Sequence, residues 1–328
     1  MIIVSRCPYR ISLLGGGTDL EWFLNKYQTG ISIGLSTSIY SRVIVSYRPK
    51  GSTFGILNYS SREEYSMVNS ICHPIVRSSL ENLKIDKPIE MASFGEFSSG
   101  SGLGSSSSFT VALIKALSEL KNQKISNIEA AKIACNIEID ILGNPIGRQD
   151  QYLCALGGVN ILKFKKRDVE VIPNDKIYKA VELFVSNSFL INTGLSRSAT
   201  EVLKKIKSDD TNDKRLIDLF QIAQSFIEKS KSLEPDKILK NLEDSIKSSW
   251  EIKKSLKGVM NNKLIEIEDF INTNNFKVYK LLGAGAGGYF LAKYNGENLN
   301  KDINNLLIKG LDIKGIEIDK KGCEIWKI

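Results

Sequence analysis

Residues 100–108 read Gly-Ser-Gly-Leu-Gly-Ser-Ser-Ser-Ser and lie between a strand-like run and a regular helical pattern. Glycines let the backbone bend sharply and approach a ligand closely. From Phe109 to Leu120 apolar residues recur at helical spacing, which predicts a helix from about Ser105 to Leu120. The N-terminus of a helix attracts anions through its unpaired N–H groups and its partial positive charge. This segment, which we call the Gly-Ser loop, is therefore typical of a triphosphate-binding site.

The Gly-Ser loop differs from two familiar phosphate-binding motifs. It lacks the G-x-x-x-x-G-K-[ST] pattern of Walker A, and no lysine follows it. It also lacks a G-x-G-x-x-G motif in a clean β-α-β setting. A flexible glycine–serine linker is the alternative, but a linker would rarely run directly into so periodic a helix. The loop therefore favours an ATP-dependent small-molecule kinase that does not use Walker A.

The composition is that of a globular protein. The 328 residues are 42% hydrophobic, which suffices for a packed core in two domains or in one large one. Much of the lysine excess behind the net charge of +8 lies in residues 204–263. It fits a solvated helix face or a steering field for an anionic substrate better than a nucleic-acid or membrane surface. No N-terminal signal peptide and no membrane-spanning apolar run are evident, so we expect a cytoplasmic protein.

The cysteines and the single histidine limit which metal sites, disulfides and catalytic residues are possible. Five scattered cysteines form no C-x-x-C pair: Cys7, Cys72, Cys135, Cys154 and Cys323. This pattern favours a reducing compartment and argues against a disulfide framework or a zinc site. His73 is the only histidine, and nothing around it resembles a nucleophile elbow. We therefore expect catalysis by a carboxylate, a lysine, an arginine or a metal.

Local patterns predict both strands and helices. Strands are expected at residues 2–5, 9–14, 31–46 (one or two strands), 89–97, 157–164, 184–192, 277–282 and 288–294. Besides 105–120, helices are expected at 63–83 with a break near Pro74, at 126–143, and over 198–258 with breaks near Asn212 and Pro235. Ser126 and Glu129 have the spacing of a capping box. A domain boundary is expected near residues 165–185, although no linker marks it.

A polar cluster follows the helix that carries Glu138. The neighbours of Glu138 are almost wholly apolar, and a buried carboxylate is costly unless it is paired or binds a metal. Asp140 is offset by two residues and faces elsewhere. After Gly143 the chain turns into Arg148-Gln149-Asp150-Gln151, between two apolar stretches. This placement fits a functional site and a buried salt bridge equally well.

Two further segments are rich in glycine. Gly15-Gly16-Gly17-Thr18-Asp19 ends a strand-like run, where the backbone can approach a ligand and Asp19 could accept hydrogen bonds from sugar hydroxyls. Taken alone, a turn with an Asx cap is the favoured interpretation of this segment. Gly283-Ala284-Gly285-Ala286-Gly287-Gly288 lies between two strand-like runs. It is either a tight connection or a surface that packs against something bulky, such as another loop or a nucleotide.

Taken in order, three of these segments resemble the motifs of the GHMP kinase superfamily, which includes galactokinase, homoserine kinase and mevalonate kinase. Residues 8–19 resemble the first motif, residues 100–106 resemble the ATP phosphate loop, and residues 283–288 resemble the third motif. The resemblance spans essentially the whole chain. It implies an α+β, two-domain fold: an N-terminal ribosomal S5 domain 2-like domain that binds ATP (residues 1–175) and a C-terminal ferredoxin-like domain (residues 176–328).

Residues 15–19, 147–152 and 192–199 are similar to D-glycero-D-manno-heptose 7-phosphate kinases and their fucokinase-like relatives. Those enzymes phosphorylate the anomeric hydroxyl of a sugar. Arg148 stands where lysine is commoner in that sub-family, so the exact sugar stays open. The resemblance implies ATP and Mg²⁺ as cofactors and a sugar or sugar phosphate as substrate. It leaves a homodimer open.

The resemblance also implies roles for single residues. Asp150 is the general base toward the sugar hydroxyl, and Arg10 either stabilises the reacting centre or lowers the pKa of the aspartate. Glu138 and Ser106 bind magnesium, although Ser105 and Ser107 are close enough in sequence to compete. The ATP phosphates contact Gly100, Ser101, Gly102, Leu103, Gly104, Ser105, Ser106 and Ser107. The substrate contacts Gly17, Thr18, Asp19, Thr193, Gly194, Arg197 and Gly285, and Arg197 or another basic residue would hold a phosphate on the sugar.

Three alternatives stay open. The acceptor could be fucose, galactose or a non-sugar alcohol. The chain could instead be a non-catalytic relative that senses a sugar and ATP, although the presence of both Glu138 and Asp150 argues against this. A nucleic-acid binder would have salt-dependent affinity and would need an aromatic and basic platform, which we do not find. Neither a nucleic-acid nor a membrane partner is expected.

Overall fold

The computed structural model describes residues 1–97, 100–166, 168–196, 199–207 and 212–328. Within these residues the strands form one sheet of eight strands and one of four. The larger sheet contains β1 (Ile2–Leu14), β2 (Gly30–Tyr47), β3 (Gly55–Asn58), β4 (Arg62–Tyr65), β5 (Ile89–Gly95), β6 (Val159–Lys165), β7 (Asp168–Ile172) and β12 (Glu324–Lys327). The smaller sheet contains β8 (Ser188–Asn192), β9 (Phe276–Leu281), β10 (Tyr289–Tyr294) and β11 (Ile313–Gly315).

The helices connect these strands and pack on their faces. They are α1 (Glu21–Tyr27), α2 (Pro74–Asn82), α3 (Ser105–Leu120), α4 (Asn127–Cys135), α5 (Gln149–Leu156), α6 (Asp175–Val185), α7 (Ala199–Lys207), α8 (Asn212–Ser230), α9 (Pro235–Lys254), α10 (Asn262–Thr273) and α11 (Leu299–Ile308). A 3-10 turn lies at Val68–Ser70, and a π-helical segment at Asn136–Ile141 continues α4.

The long strand β2 organises the larger sheet. It runs antiparallel to β1 along one edge, and along the other it pairs first with β6 and then with β5. The apolar residues of α3 pack across β1 and β2, and Val111, Leu113 and Leu117 are fully buried there. The Gly-Ser loop is therefore held at the end of a helix that is anchored in the core.

The smaller sheet has the strand order β11-β8-β10-β9, with antiparallel neighbours. If the four strands of this sheet are numbered 1 to 4 along the chain, their spatial order is 4-1-3-2. This is the split β-α-β arrangement of a ferredoxin-like fold. The predicted α+β class with a ferredoxin-like C-terminal part is confirmed. The predicted boundary between residues 175 and 176 coincides with the start of α6 and stays a prediction, since β12 returns to pair with β1 of the larger sheet.

Several predicted elements are confirmed. The helix at Ser105–Leu120 is present with the predicted bounds, and Ser126 and Glu129 form both hydrogen bonds of a capping box. In agreement with the breaks predicted near Asn212 and Pro235, α8 begins at Asn212 and α9 begins at Pro235. The two short runs at 2–5 and 9–14 are one continuous strand, and residues 31–46 lie in the single strand β2.

Two predictions were wrong. Residues 63–73, predicted to be helical, contain no α-helix: residues 63–65 belong to β4, which pairs with β3 and buries Tyr65, and a 3-10 turn follows at Val68–Ser70. Residues 184 and 185, predicted to begin a strand, end the amphipathic helix α6. Phe184 completes its buried face with Ile177 and Val181 at helical spacing, so an apolar helix end was mistaken for the start of β8.

Candidate active site

The Gly-Ser loop presents its backbone to a pocket. Gly100, Gly102 and Gly104 all have positive φ angles, of 82°, 83° and 75°, which favour glycine. Gly104 is the N-cap of α3, and no side chain of the described residues caps this helix. The first N–H groups of α3 have no partner within the helix. The pocket wall at Ser105–Ser107 therefore has backbone N–H groups that suit an anion.

Arg10 of β1 holds the Gly-Ser loop in place by two hydrogen bonds. Its backbone N–H donates to Leu103 O at 2.9 Å, and its Nη1 donates to Gly102 O at 2.6 Å. A Cβ atom added to Gly104 would lie only 2.9 Å from Arg10 Cγ. A glycine is therefore favoured at position 104 for two reasons. Its φ angle is positive, and the Arg10 side chain passes too close to leave room for a Cβ atom. Leu103 itself is buried in the core, and its backbone N–H donates to Ser101 Oγ. These two residues therefore stabilise the conformation of the Gly-Ser loop.

Arg10 and Asp150 form a bidentate ion pair. Arg10 Nε donates to Asp150 Oδ1 at 2.6 Å, and Nη2 donates to Oδ2 at 2.5 Å. The Arg10 side chain is 6% exposed, whereas the Asp150 side chain is 23% exposed and lines the pocket. Burial lowers the pKa of Arg10, but the charge and hydrogen bonds of Asp150 outweigh this effect and raise it. The ion pair fixes the orientation of the Asp150 carboxylate, which remains accessible to a ligand from the pocket.

Glu138 lies on the π-helical segment and is fully buried. Its Oε1 accepts from Ser106 Oγ at 2.8 Å, and its Oε2 accepts from Gln151 Nε2 at 2.8 Å. Burial raises the pKa of Glu138, and the hydrogen bonds from Gln151 and Ser106 oppose this effect. Asp140, by contrast, is exposed, as expected from its offset. The predicted metal ligands Glu138 and Ser106 are thus brought together, although 32 positions separate them in sequence.

The oxygens of Ser106 and Glu138 suit a magnesium ion. Two adjacent ligands in an octahedral site of 2.0–2.1 Å bonds lie about 2.9 Å apart, and these two oxygens are 2.8 Å apart at the pocket wall. Among the described residues no group of three or more histidine, cysteine, aspartate or glutamate side chains could hold a metal. Magnesium is commonly bound by one or two protein carboxylates together with substrate phosphates.

Asp19 lies beside Asp150 and is only 2% exposed. Its Oδ1 accepts from Gly17 N at 3.2 Å and from Gln149 Nε2 at 3.1 Å, and its Oδ2 accepts from Gln149 N at 3.0 Å. Burial raises the pKa of Asp19 to about 6, and the charge of Asp150 adds to this. A Cβ atom at Gly147 would overlap the carboxylate, at 1.9 Å from Oδ2. Asp19 therefore joins the first glycine segment to the start of α5.

The pocket between these elements has a volume of about 300 Å³, at the small end of ligand sites. One part is polar and contains the Gly-Ser loop, Asp19, Glu138 and Asp150. The other part is apolar and is lined by Leu20, Leu203, Ile206, Leu216, Leu219 and Leu256. The predicted phosphate, metal and base residues therefore face one space.

Two buried oxygens at the polar end have no hydrogen-bond partner among the described residues. They are Ser12 Oγ and Gln149 Oε1. Both lie close to the backbone of Gly16, since a Cβ built there would be 3.0 Å and 3.9 Å from them. Buried polar atoms are normally paired, so these two are suited to hydrogen bonds with a ligand. Sequence reasoning gave neither residue a role.

Lys280 of β9 is a further pocket residue that sequence reasoning missed. It is 5% exposed, and its Nζ donates to Leu13 O of β1 at 2.6 Å. The signal was present in the sequence, because Phe276, Val278 and Lys280 alternate along the buried face of a strand. A lysine in such a position is unusual.

The third glycine segment connects β9 to β10 and also packs on the Gly-Ser loop. A Cβ atom at Gly288 would lie 2.3 Å from Ser101 O, and one at Gly285 would lie 2.8 Å from Val259 Cα. Both interpretations of this segment therefore hold, and its bulky neighbour is another loop. Gly283 and Ala284 line the pocket, whereas Gly285 does not.

Three of the remaining predicted substrate residues do not line the pocket: Thr18, Thr193 and Gly194. Thr18 is buried, and its Oγ1 accepts from Ile31 N and donates to backbone carbonyls. Thr193 is also buried, and its Oγ1 donates to Gly288 O at 2.8 Å. Gly194 is exposed at the end of β8. Arg197 lies outside the described residues. The substrate roles of these four residues stay predictions.

Comparisons with known proteins agree with this geometry. Residues 69–158, which include the Gly-Ser loop, Glu138 and Asp150, match the GHMP kinases N terminal domain. The D-glycero-alpha-D-manno-heptose 7-phosphate kinase of Campylobacter jejuni is 29% identical over 99% of both chains. No helix in the described part of the chain is long and apolar enough to cross a membrane.

Solved structures share the fold over nearly the whole chain. A D-glycero-D-manno-heptose 1-phosphate kinase from Bacteroides thetaiotaomicron superposes with a TM-score of 0.72 at 21% identity, covering 99% of both chains. Galactokinase from Lactococcus lactis, solved with galactose, superposes with a TM-score of 0.76 at 18% identity, covering 100% of this chain and 95% of that one. Residues 69–158 match a GHMP kinases N terminal domain, and this match together with the full-length similarity to a curated kinase indicates an ATP-dependent phosphotransferase.

Proposed function

We propose that the chain phosphorylates the anomeric (C1) hydroxyl of a sugar phosphate, with D-glycero-D-manno-heptose 7-phosphate as acceptor and the 1,7-bisphosphate as product. The observation that carries this proposal is the position of Asp150. Its carboxylate, oriented by Arg10, lines the same small pocket as the uncapped N-terminus of α3. A phosphate donor and an acceptor hydroxyl would meet at this carboxylate. The reaction belongs to the synthesis of nucleotide-activated heptose.

In the proposed mechanism one group of pocket residues binds the ATP phosphates and another accepts the proton. The N–H groups of Ser105–Ser107 bind the ATP phosphates, and Asp150 accepts the proton of the hydroxyl as the γ-phosphoryl group is transferred to its oxygen. Arg10 keeps the carboxylate in position for this step. Positioning and charge neutralisation supply most of the rate in phosphoryl transfer, and the base contributes roughly 10²- to 10⁴-fold.

Magnesium would be held by Glu138 and Ser106, whose oxygens lie 2.8 Å apart at the phosphate end of the pocket. When bound, it neutralises phosphate charge. The hydrogen bond from Gln151 Nε2 to Glu138 Oε2 orients the carboxylate so that Oε1 faces Ser106. Such supporting hydrogen bonds are common around metal ligands.

A polyhydroxylated acceptor suits the polar end of the pocket. Ser12 Oγ and Gln149 Oε1 are buried without partners, and Asp19 adds a carboxylate beside them. A sugar can satisfy several such groups at once, whereas a simple alcohol would leave most of them unpaired, at a cost of about 1–3 kcal/mol each. The 29% identity to a heptose 7-phosphate kinase over the full chain supports the same class of acceptor.

An ADP-release assay over a panel of acceptors tests this proposal. The panel contains D-glycero-D-manno-heptose 7-phosphate, the unphosphorylated heptose, fucose, galactose and mevalonate, with ³¹P NMR to locate the new phosphate. We expect the highest kcat/KM for the heptose 7-phosphate and a product phosphorylated at C1. A higher kcat/KM for fucose, galactose or mevalonate would contradict the proposed acceptor. ATP binding without ADP release on any acceptor would favour the sensor alternative.

A further inference from the structure

Lys280 places an ammonium group deep in the pocket wall. Its position on β9 turns its side chain inward, and only 5% of the residue is exposed. Its Nζ donates to Leu13 O at 2.6 Å and so bridges the smaller and the larger sheet. Within the described residues this carbonyl is its one hydrogen-bond acceptor, and no carboxylate forms an ion pair with it. An ammonium has three N–H donors, so the group is incompletely satisfied.

Another buried lysine of the same sheet is paired. Lys293 on β10 is 8% exposed, and its Nζ forms an ion pair with Glu243. Burying a charge without such a partner is unfavourable. Lys280 lacks the carboxylate that Lys293 has, although both lie in neighbouring strands. An unpaired buried cation on a pocket wall is a feature expected of an anion-binding site.

The surroundings of Lys280 make its charge sensitive to a ligand. Burial lowers the pKa of Lys280 to about 7, and the positive charge of Arg10 on β1 contributes to this. The other ionisable groups on this pocket wall are Asp19, Glu138, Asp150 and, on α9, Lys253. Burial therefore favours the neutral form of Lys280 when no anion is bound. An anion bound beside it would favour the protonated form and draw a proton from solution.

We propose that Lys280 is the residue that binds an anionic group of the acceptor, namely the phosphate of the phosphorylated sugar. This inference rests on the proposed function. The side chain meets β1 at Leu13 O, two residues before Gly15 begins the glycine segment that leads to Asp19, the residue that we assign to the acceptor. The ATP phosphates are assigned to the N-terminus of α3, which supplies their hydrogen-bond donors. An acceptor phosphate would otherwise face the carboxylates of Asp19 and Asp150, and Lys280 offsets their repulsion.

The kinetic test compares Lys280→Met with Lys293→Met. Methionine keeps the apolar stem and removes a buried ammonium, so we expect Lys280→Met to fold. A hydrogen bond to a charged group accounts for roughly 10- to 150-fold in affinity, so KM for the heptose 7-phosphate should rise by that factor. KM for ATP and kcat/KM for the unphosphorylated heptose should not change. Lys293→Met, which breaks a buried ion pair away from the pocket, should leave the acceptor KM unchanged.

The pH profile separates a binding role from a structural one. In the native protein kcat/KM for the heptose 7-phosphate should fall as pH rises above about 7, because Lys280 loses its proton. This decrease should be absent in Lys280→Met, while the titration of the substrate phosphate itself is common to both proteins. An unchanged acceptor KM, an equal rise in KM for ATP, or identical pH profiles would overturn the proposal.

A binding measurement makes the test independent of the acceptor's identity. Sulfate mimics a phosphate dianion and does not titrate near neutral pH, so any proton uptake comes from the protein. With the triphosphate site filled by a non-hydrolysable ATP analogue, sulfate is titrated by calorimetry in two buffers of different ionisation enthalpy. We expect proton uptake at pH 7, because an anion beside Lys280 would raise its lowered pKa, and none in Lys280→Met.

The two experiments fail separately. If sulfate draws a proton through Lys280 but the heptose 7-phosphate is not phosphorylated, the proposed acceptor is wrong and the anion site stands. If the heptose 7-phosphate is phosphorylated but sulfate does not bind, binds without proton uptake, or behaves identically in Lys280→Met, the role of Lys280 is wrong and the proposed function stands.

Discussion

Replacing Gly104 by alanine tests how the Gly-Ser loop and Arg10 depend on each other. Gly104 has a φ of 75°, and its added Cβ would lie 2.9 Å from Arg10 Cγ. The left-handed conformation costs a non-glycine residue about 1–2 kcal/mol. Reaching an ordinary contact of 3.4 Å would also require the Arg10 side chain to move by about half an ångström. That side chain holds Asp150 by two hydrogen bonds, so the carboxylate should move with it.

We expect Gly104→Ala to lower kcat by roughly 10- to 100-fold, because a displacement of 1 Å in an active site can cost about 100-fold. Gly310→Ala is the matched control, since Gly310 has a φ of 80° but nothing within 4 Å of its added Cβ. Denaturant unfolding should show a loss of about 1–2 kcal/mol in both variants. Steady-state assays at saturating ATP and acceptor should show a loss of kcat in Gly104→Ala alone. Equal kcat in the two variants would refute the coupling of Gly104, Arg10 and Asp150.

Two further substitutions probe the carboxylates. Glu138→Gln should raise the Mg²⁺ concentration for half-maximal rate by at least about tenfold, since even supporting residues of metal sites account for about 10- to 100-fold in affinity. The exposed Asp140→Asn should not, and equal Mg²⁺ dependence in both would rule out the metal role of Glu138. Asp19→Asn should change the pH dependence of stability. The folded-state pKa of about 6 exceeds the ordinary 3.8, so the acidic form of Asp19 stabilises the fold below pH 4, and this is lost as pH rises through 6. The free energy of unfolding of the native protein minus that of the variant should therefore fall by about 2 kcal/mol between pH 4 and pH 7, and a flat difference would contradict the burial of this carboxyl.

Local patterns predicted the elements that depend on neighbours in sequence. The helix at Ser105–Leu120 was found because its periodic apolar face is also its buried face, and the capping box marked the start of α4. The same kind of pattern failed at residue 184, where the end of α6 and the start of β8 are both apolar. Short apolar runs do not distinguish a buried helix end from a strand.

The site itself depends on contacts that sequence spacing does not encode. Arg10 and Asp150 are 140 positions apart, and nothing local indicates a bidentate pair between them. The family motifs suggested which residues share a site, but not that Gly288 would pack on Ser101 or that Lys280 would lie on the pocket wall. These features follow from how the smaller sheet packs against the larger one.

The proposed chemistry is tested most directly by the turnover of Asp150→Asn. Asparagine keeps the size of the side chain but cannot accept the proton of the acceptor hydroxyl as a carboxylate does. We expect kcat to fall by roughly 10²- to 10⁴-fold, while calorimetry shows ATP bound with undiminished affinity to a folded protein. Undiminished turnover in Asp150→Asn would contradict the assignment of Asp150 as the general base.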